Sequence, residues 1–496
     1  MAPRSERTPG GIGDPLATGE AGARFVRGSV FRVVAYVGAI TSSIVAMPFV
    51  TRHLHSSNYG RYVVVTSLMV IVGTVTEGGI AGLGVREFSQ APQPGRREFM
   101  RGLLGLRIVL STAGGLGAIA FALLVGYPRV VVEGTAIAAI GLVLANVQVT
   151  LTVPLTAALA LGRLAMLDFL IPAVTALALI ALVVLDAPLL AFFAPAVLAF
   201  FVGLALTGTL VRHQVSLRPA FNLARWWTLL GDSVVFAAAT ALALVYFQVV
   251  VVAMSIITTA HQTGIFSLAF RILSVVNGIP VVIAGSAFPI LLRAARDDHA
   301  RLHAALQRLI EGNLLLGGWL SLLVVSAAPF AVRVLGGPGY VGSATVLRIL
   351  GTGVVATFLA AVFAYALLAT RMYRALVAIS SGMVILAVVL CATLIPAHGA
   401  RGAAIVTLAL EVVLATAYGL TLFTANPELR PALGVSARTL VALSVAFAVA
   451  LTLPVSSVLA AVCGSAALAI AVSALRVFPH ELLELVGLRT RARGAQ

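Results

Sequence analysis

The chain has 496 residues, 60% of them hydrophobic and only 10% charged, against about 45–50% and about 25% in soluble domains. That composition excludes a soluble globular protein and calls for many membrane-spanning helices, each needing roughly 20 apolar residues; a closed barrel is excluded because the apolar runs lack period-2 alternation. The net charge of +16 is then a matter of loops at a membrane surface before it is a matter of nucleic acid, and no nucleic-acid partner is expected.

Residues 1–24 are rich in Gly, Pro, Ser, Arg and Glu and contain no apolar run. They read as a disordered cytoplasmic tail and not as a signal peptide. Hydropathy then places helices at 29–51, 60–82, 101–126, 130–155, 166–186, 189–211, 231–255, 262–292, 308–332, 342–369, 373–395, 401–424, 437–454 and 456–476. The expected fold is all-α and polytopic, with about 14 transmembrane helices and both termini on one face. The expected division is an N-lobe at 25–212 holding helices 1–6, a C-lobe at 213–425 holding helices 7–12, and helices 13–14 with a tail at 426–496.

The arginines orient these helices. The sequence contains no lysine, so all 33 basic residues are Arg. With the N terminus inside, 26 of them fall on the cytoplasmic face, Arg107 among these; Arg52, Arg61, Arg129, Arg333, Arg348 and Arg401 fall outside, and Arg271 lies within helix 8. Positive residues accumulate in cytoplasmic loops, and a miscounted helix would scramble the alternation. A plasma-membrane protein with both termini cytoplasmic is therefore expected. The lack of lysine also removes a Walker A loop and any Lys Schiff base, so ATP hydrolysis is not expected. No extramembrane domain is long enough to hold an active site, and neither enzyme activity nor a cofactor is expected. Cys391 and Cys463 sit in apolar runs without a partner at metal or redox spacing.

A weak internal repeat runs through the chain. SSNYGRYVVVTSLM into helix 2 resembles TAHQTGIFSLAFRIL into helix 8, with Gly60 and Gly264 offset by 204 residues; LGRLAMLDFL resembles ATRMYRALVAI, with Arg163 and Arg371 offset by 208. An even number of helices per repeat gives two lobes in the same orientation, with a binding cavity between them near the midplane.

Ionisable residues inside the bilayer are costly and so mark function by default. Arg271 lies about 15 Å of rise into helix 8, near the membrane centre. Its planar fork suits phosphate oxygens; the alternative is a pair with an acidic neighbour such as Glu77. Helix 8 is about 46 Å long, so it must tilt or bend, and the Asn277-Gly278-Ile279-Pro280 step is the expected hinge. Glu77 and Glu411 are candidates for binding a coupling proton or cation, or for neutralising an arginine. Arg32, near the inner end of helix 1, could line the cavity mouth. Arg52 and Arg61 flank an outer turn and could contact substrate or pin the turn. Asp232 and Glu311 lie near cytoplasmic helix ends, where solvated or capping roles are expected. His299 and His303, and likewise His53 and His55, read as solvated polar segments, so no metal site is expected.

The order of these segments resembles a known family. Arg52-x-Leu54, Tyr59-Gly60 and a helix closing on Glu77-Gly78-Gly79-Ile80 with Arg86 after it resemble the N-terminal signature of Wzx-type flippases for lipid-linked oligosaccharides, in the multidrug/oligosaccharidyl-lipid/polysaccharide exporter superfamily. Thr263-Gly264-Ile265-Phe266-Ser267 leading to Arg271, Pro289, Leu335 to Tyr340, and His398 to Ala404 continue it over about 25–425. The chain departs from the family in carrying Gln248 where an acidic residue is frequent in helix 7, and Glu77 in place of the commoner Asp. The resemblance implies an alternating-access carrier moving a polyprenyl-diphosphate-linked glycan from the inner to the outer leaflet, with a cationic cavity for the diphosphate and sugar. Arg271, Arg32, Arg52, Arg61 and Gln248 are the candidate substrate residues. Membrane lipids, glycosyltransferases and a polysaccharide polymerase are the expected partners. A lipid II flippase, a cation-coupled multidrug exporter and a non-transporting scaffold remain as alternatives.

Overall fold

The structure is a computed structural model describing residues 19–90, 92–222, 226, 234–297, 299–453 and 455–475. Among these, every regular element is helical. In order they are α1 (Gly19–Glu77), α2 (Ile80–Gln90), α3 (Gln93–Leu124), α4 (Arg129–Leu151), α5 (Val153–Ala157), α6 (Leu161–Val184), α7 (Ala194–Val211), α8 (Val234–Ile257), α9 (Ala260–Asp297), α10 (His299–Leu335), α11 (Gly342–Thr352), α12 (Val354–Ala369), α13 (Tyr373–Ala425), α14 (Leu433–Thr452) and α15 (Ser457–Ala474). Residues 1–18 and 476–496, and with them most of both expected tails, lie outside the described residues, as does Asp232. Helix α1 begins at Gly19, earlier than expected.

Two of these helices are each a pair of spans. Helix α1 has 59 residues and would be about 88 Å long if straight, yet Ser43 and Val70 line one cavity. The chain doubles back at His55, whose φ of 56° and ψ of 170° interrupt the helix. Helix α13 does the same at Gly399, with φ 54° and ψ −129°; its Ser380 and Tyr418 hydroxyls meet at 3.2 Å across the fold. Among the described residues, ten helices are long and apolar enough to cross a membrane, and α11 with α12 form an eleventh if the bent pair is one broken span. Dividing α1 and α13 at their interruptions and adding α8 recovers about fourteen segments, matching the hydropathy reading.

The breaks inside spans differ from expectation. The segment expected at 342–369 bends by 41° between α11 and α12. There Gly351 packs where a Cβ would stand 2.8 Å from Val324, and its carbonyl accepts the Ser321 hydroxyl at 2.7 Å. The span expected at 130–155 is divided at Thr152, ahead of Pro154. The span expected at 60–82 ends at Glu77, where Gly78 and Gly79 take φ of 44° and 71°, a conformation glycine adopts without penalty. By contrast, the expected hinge at Asn277, Gly278 and Pro280 is continuous α9. Gly278 is instead a packing position, its absent Cβ standing 2.9 Å from the Tyr36 hydroxyl of α1.

The two lobes are built alike. In the first, α1 packs along α6; in the second, the repeat-equivalent α8 packs along α13. The lobes meet through α1 against α8 and α9. Helices α14 and α15 form a separate hairpin docked on α10. Gly318 admits the Leu443 side chain there, which a Cβ would meet at 2.3 Å.

Candidate functional site

The lobes touch at the 204-residue repeat itself. A Cβ on Gly60 would stand 2.2 Å from Ala260 O, and a Cβ on Gly264 would stand 1.9 Å from Ser56 O. Ser56 and Ala260 are offset by the same 204 residues as Gly60 and Gly264, so the contact is reciprocal about a pseudo-twofold axis. Further bonds join the lobes at this end. Ser56 Oγ lies 2.5 Å from His261 Nδ1, Thr51 Oγ1 donates to Leu335 O at 2.5 Å, and Arg52 Nη2 donates to Val334 O at 2.8 Å. Tyr340 OH donates to Thr51 O at 3.2 Å, and Tyr127 OH lies 2.5 Å from Ser255 Oγ.

Below this seal, the two halves of α1 together with α6, α7, α8 and α9 enclose a cavity of about 400 Å³. Arg271 projects into it, and its guanidinium makes no hydrogen bond or ion pair among the described residues. Tyr59 and Tyr62 lie within its electrostatic reach and line the same cavity. Tyr62 stacks on Phe193 at 5.6 Å and Tyr59 sets its edge to Tyr340 at 6.0 Å, which fixes both rings. Gln248 also lines the cavity, as do the hydroxyls of Ser67, Thr175 and Ser267; the Ser267 oxygen is buried without a partner. Among the described residues the lining contains no carboxylate. A second crevice of about 380 Å³, between α1 and α9, shares Arg271 and Ser274 with the first and runs out past Tyr36 and Ile44, both exposed on the lateral surface.

The other candidate residues are placed elsewhere. Arg52 is spent on the Val334 carbonyl of the seal. Arg61 holds Asn58 Oδ1 at 3.1 Å, with its Nε buried and unpartnered; neither lines the cavity. Arg32 pairs with Asp168 of α6 at 3.3 Å, both about half exposed, one helical turn beyond Tyr36. Gln307 bonds Glu311 and the Ala432 carbonyl, tying α10 to the segment before α14. His299 faces Glu428 at 3.9 Å, and His53 bonds Ala187 O at 3.0 Å.

Glu77 does not pair with Arg271. It faces Arg107, with Nη2 3.4 Å from Oε1, and its carboxylate accepts the Gly79 and Ala81 amides at the start of α2. Arg107, assigned to the cytoplasmic face from sequence, is completely buried. It also donates to Thr76 O at 2.8 Å and Thr150 Oγ1 at 3.2 Å, and Asn146 extends the network to Thr76 and Ser111. This is the charged residue that sequence reasoning missed, although its place six residues past Arg101 in an apolar run was a signal. Glu411 is buried inside the second lobe with no cation beside it among the described residues; Tyr246 OH donates to it at 3.2 Å.

Comparison with known proteins gives both a family and a fold. The family described as polysaccharide biosynthesis protein matches residues 25–295. A solved structure of the lipid II flippase MurJ, in an inward closed conformation, superposes with a TM-score of 0.71 at 12% identity, covering 90% of this chain and 98% of that one. An inward-facing multidrug resistance MATE family transporter of the MOP superfamily gives 0.66 at 11% identity, covering 81% and 98%. A MOP superfamily transporter from Pyrococcus furiosus, described as having a binding pocket of reversed polarity, gives 0.55 at 14% identity, covering 82% and 96%. No curated protein sequence matches the chain.

Proposed function

The chain belongs to the polysaccharide biosynthesis protein family, and on that premise we propose that it is a flippase carrying a polyprenyl-diphosphate-linked oligosaccharide from the inner to the outer leaflet of the plasma membrane. The observation that carries this reading is the Arg271 guanidinium, unpaired among the described residues, in an interlobe cavity whose described lining holds hydroxyls and an amide but no carboxylate. A fixed cation in a low-dielectric cavity selects an anion, and a guanidinium engages diphosphate oxygens two at a time. The hydroxyls and Gln248 offer sugar partners, and the Tyr59 and Tyr62 rings offer apolar faces. The crevice between α1 and α9 provides a lateral route by which a polyprenyl tail stays in lipid while its head group occupies the cavity. A cation-coupled drug exporter fits this lining poorly, since among the described residues it sets a fixed cation, and no carboxylate, against a cationic drug.

With the arginine-rich loops placed in the cytoplasm, the Gly60–Gly264 seal faces outward and the state is the one closed to the outside. Transport then requires the seal to part. Arg271→Ala should abolish glycan export while leaving the protein in the membrane at normal level; normal export by that variant would sink the assignment. The conservative Arg271→Lys, a point charge without the planar fork, should retain partial export. A lipid II carrier would share the diphosphate chemistry, and loss of viability in place of loss of surface glycan would identify it.

A further inference from the structure

On leaving α7 at Val211, the chain turns back onto α3 before entering the second lobe. Ala220 N donates to Arg101 O at 2.8 Å, Arg101 Nε to Arg218 O at 3.3 Å, and Trp226 Nε1 to Gly102 O at 3.0 Å. Gly105 makes room for this strap, since a Cβ there would stand 2.1 Å from Ala220 O. The strap, through Leu217 and Pro219, closes one side of a crevice of about 390 Å³. Its other walls are Leu104 and Ile108 of α3, Leu151 of α4 and Leu204 of α7. Each wall helix is a membrane span, so the crevice faces lipid and not the interlobe cavity.

Arg212 stands at one end of the crevice and is exposed. Its Nε donates to His213 Nε2 at 3.2 Å, and its two terminal nitrogens have no partner among the described residues. From Leu204 to Arg212 the rise is about 12 Å, comparable to the half-thickness of a hydrocarbon core of about 30 Å. An apolar trough about one leaflet deep thus ends on a guanidinium whose two terminal nitrogens have no partner among the described residues.

We propose that this crevice binds one anionic phospholipid, with an acyl chain along Leu104, Leu151 and Leu204 and the phosphate on Arg212. The site needs both parts of such a molecule. A free phosphate would leave the apolar walls uncovered, and a zwitterionic lipid would bring its ammonium group toward the arginines. The exposed Arg218 and Arg101 beside the strap add to the attraction for an anionic head group. The bound lipid braces the strap, which begins the covalent link between the lobes, against the first lobe.

The test is lipid exchange followed by native mass spectrometry. The purified full chain is equilibrated with equimolar dioleoylphosphatidylglycerol and dioleoylphosphatidylcholine. The wild type should retain one phosphatidylglycerol per chain in preference to phosphatidylcholine. Arg212→Gln should lower that preference about fivefold, the effect of one basic residue near an anionic surface. Ala205→Trp, at an exposed position on the crevice wall, should remove the retained lipid of either kind. Absence of any preference in the wild type overturns the proposal, as does wild-type retention in both variants. Should Ala205→Trp fail to fold, quenching of Trp226 fluorescence by brominated phosphatidylglycerol decides, measured with Trp227 and Trp319 replaced by Phe and with or without Arg212→Gln: equal quenching in the two overturns the proposal.

Discussion

Gly264→Ala is the most direct probe of how the two lobes are held. A Cβ at this position would lie 1.9 Å from Ser56 O, whereas real Cβ contacts under 3.0 Å are essentially never seen. The obstacle is backbone and not a side chain that could rotate away, so the helices must separate by about 1.1 Å. That displacement acts where Ser56 meets His261 at 2.5 Å and close to the Thr51–Leu335 bond of the same length. Overpacking of this kind costs about 1–3 kcal/mol, which moves an equilibrium between closed and parted seals by about 5- to 150-fold. The assay uses Thr66→Cys, a cavity position, in a background with Cys391 and Cys463 replaced by alanine. Labelling by a membrane-impermeant maleimide is followed in right-side-out and inverted vesicles. Gly264→Ala should raise the labelling rate at least about fivefold in right-side-out vesicles alone. A variant that stays monodisperse yet labels at the parental rate would refute the reasoning that this contact seals the outer end.

Four other expectations follow from the same geometry. Arg52→Ala and Arg61→Ala should both retain far more export than Arg271→Ala, because Arg52 serves the Val334 carbonyl and Arg61 serves Asn58; a null Arg61 variant with intact folding would return that residue to the substrate path. Glu77→Gln should destabilise the protein by about 2 kcal/mol, less than the ~3–5 of a fully enclosed pair because Glu77 is partly exposed, and Arg107→Met in the same chain should restore much of the loss when thermal unfolding is followed in detergent. Glu411→Val strands the Tyr246 hydroxyl and should cost about 1–3 kcal/mol, whereas Glu411→Gln keeps an acceptor and should unfold close to the parental temperature. Tyr340→Phe removes the hydroxyl bond to Thr51 O and should weaken the seal by about 1 kcal/mol, read as a modest rise in the same maleimide labelling.

The sequence was informative where a physical constraint is local or periodic. Apolar runs of bilayer length marked the spans, since hydrocarbon requires each backbone group to be bonded within its own helix. The Gly60 and Gly264 match carried real three-dimensional content, because the same local turn recurs on both sides of the lobe contact. The bend between α11 and α12 was invisible, since the contacts beside it, Val324 against Gly351 and the Ser321 hydroxyl on the Gly351 carbonyl, come from α10 and belong to the assembled fold. At Asn277 to Pro280 the helix runs unbroken in this state, although a proline removes one donor. Arg107 was misread because an arginine near a span's end ordinarily reaches outward to water. Only the positions of Glu77, Thr76 and Thr150 on neighbouring elements show that this one turns inward. Arg271 could be singled out by depth alone, but that it lacks a protein partner is a property of the assembled cavity.

The reciprocal glycine contact also speaks to where this architecture comes from. Each surface contains both the groove and the oxygen that fills its partner's groove, which is the self-complementary pattern of a symmetric homodimer. Two separate copies of a single lobe could associate through this patch without altering its backbone. Fusion into one chain releases the copies from identity. Ser56 now bonds His261, while at the mirror position Ala260 has no hydroxyl to offer Ser57. A dimer would have to carry any such bond twice or not at all; the joined chain can hold it on one side only and so give its two halves unequal grip.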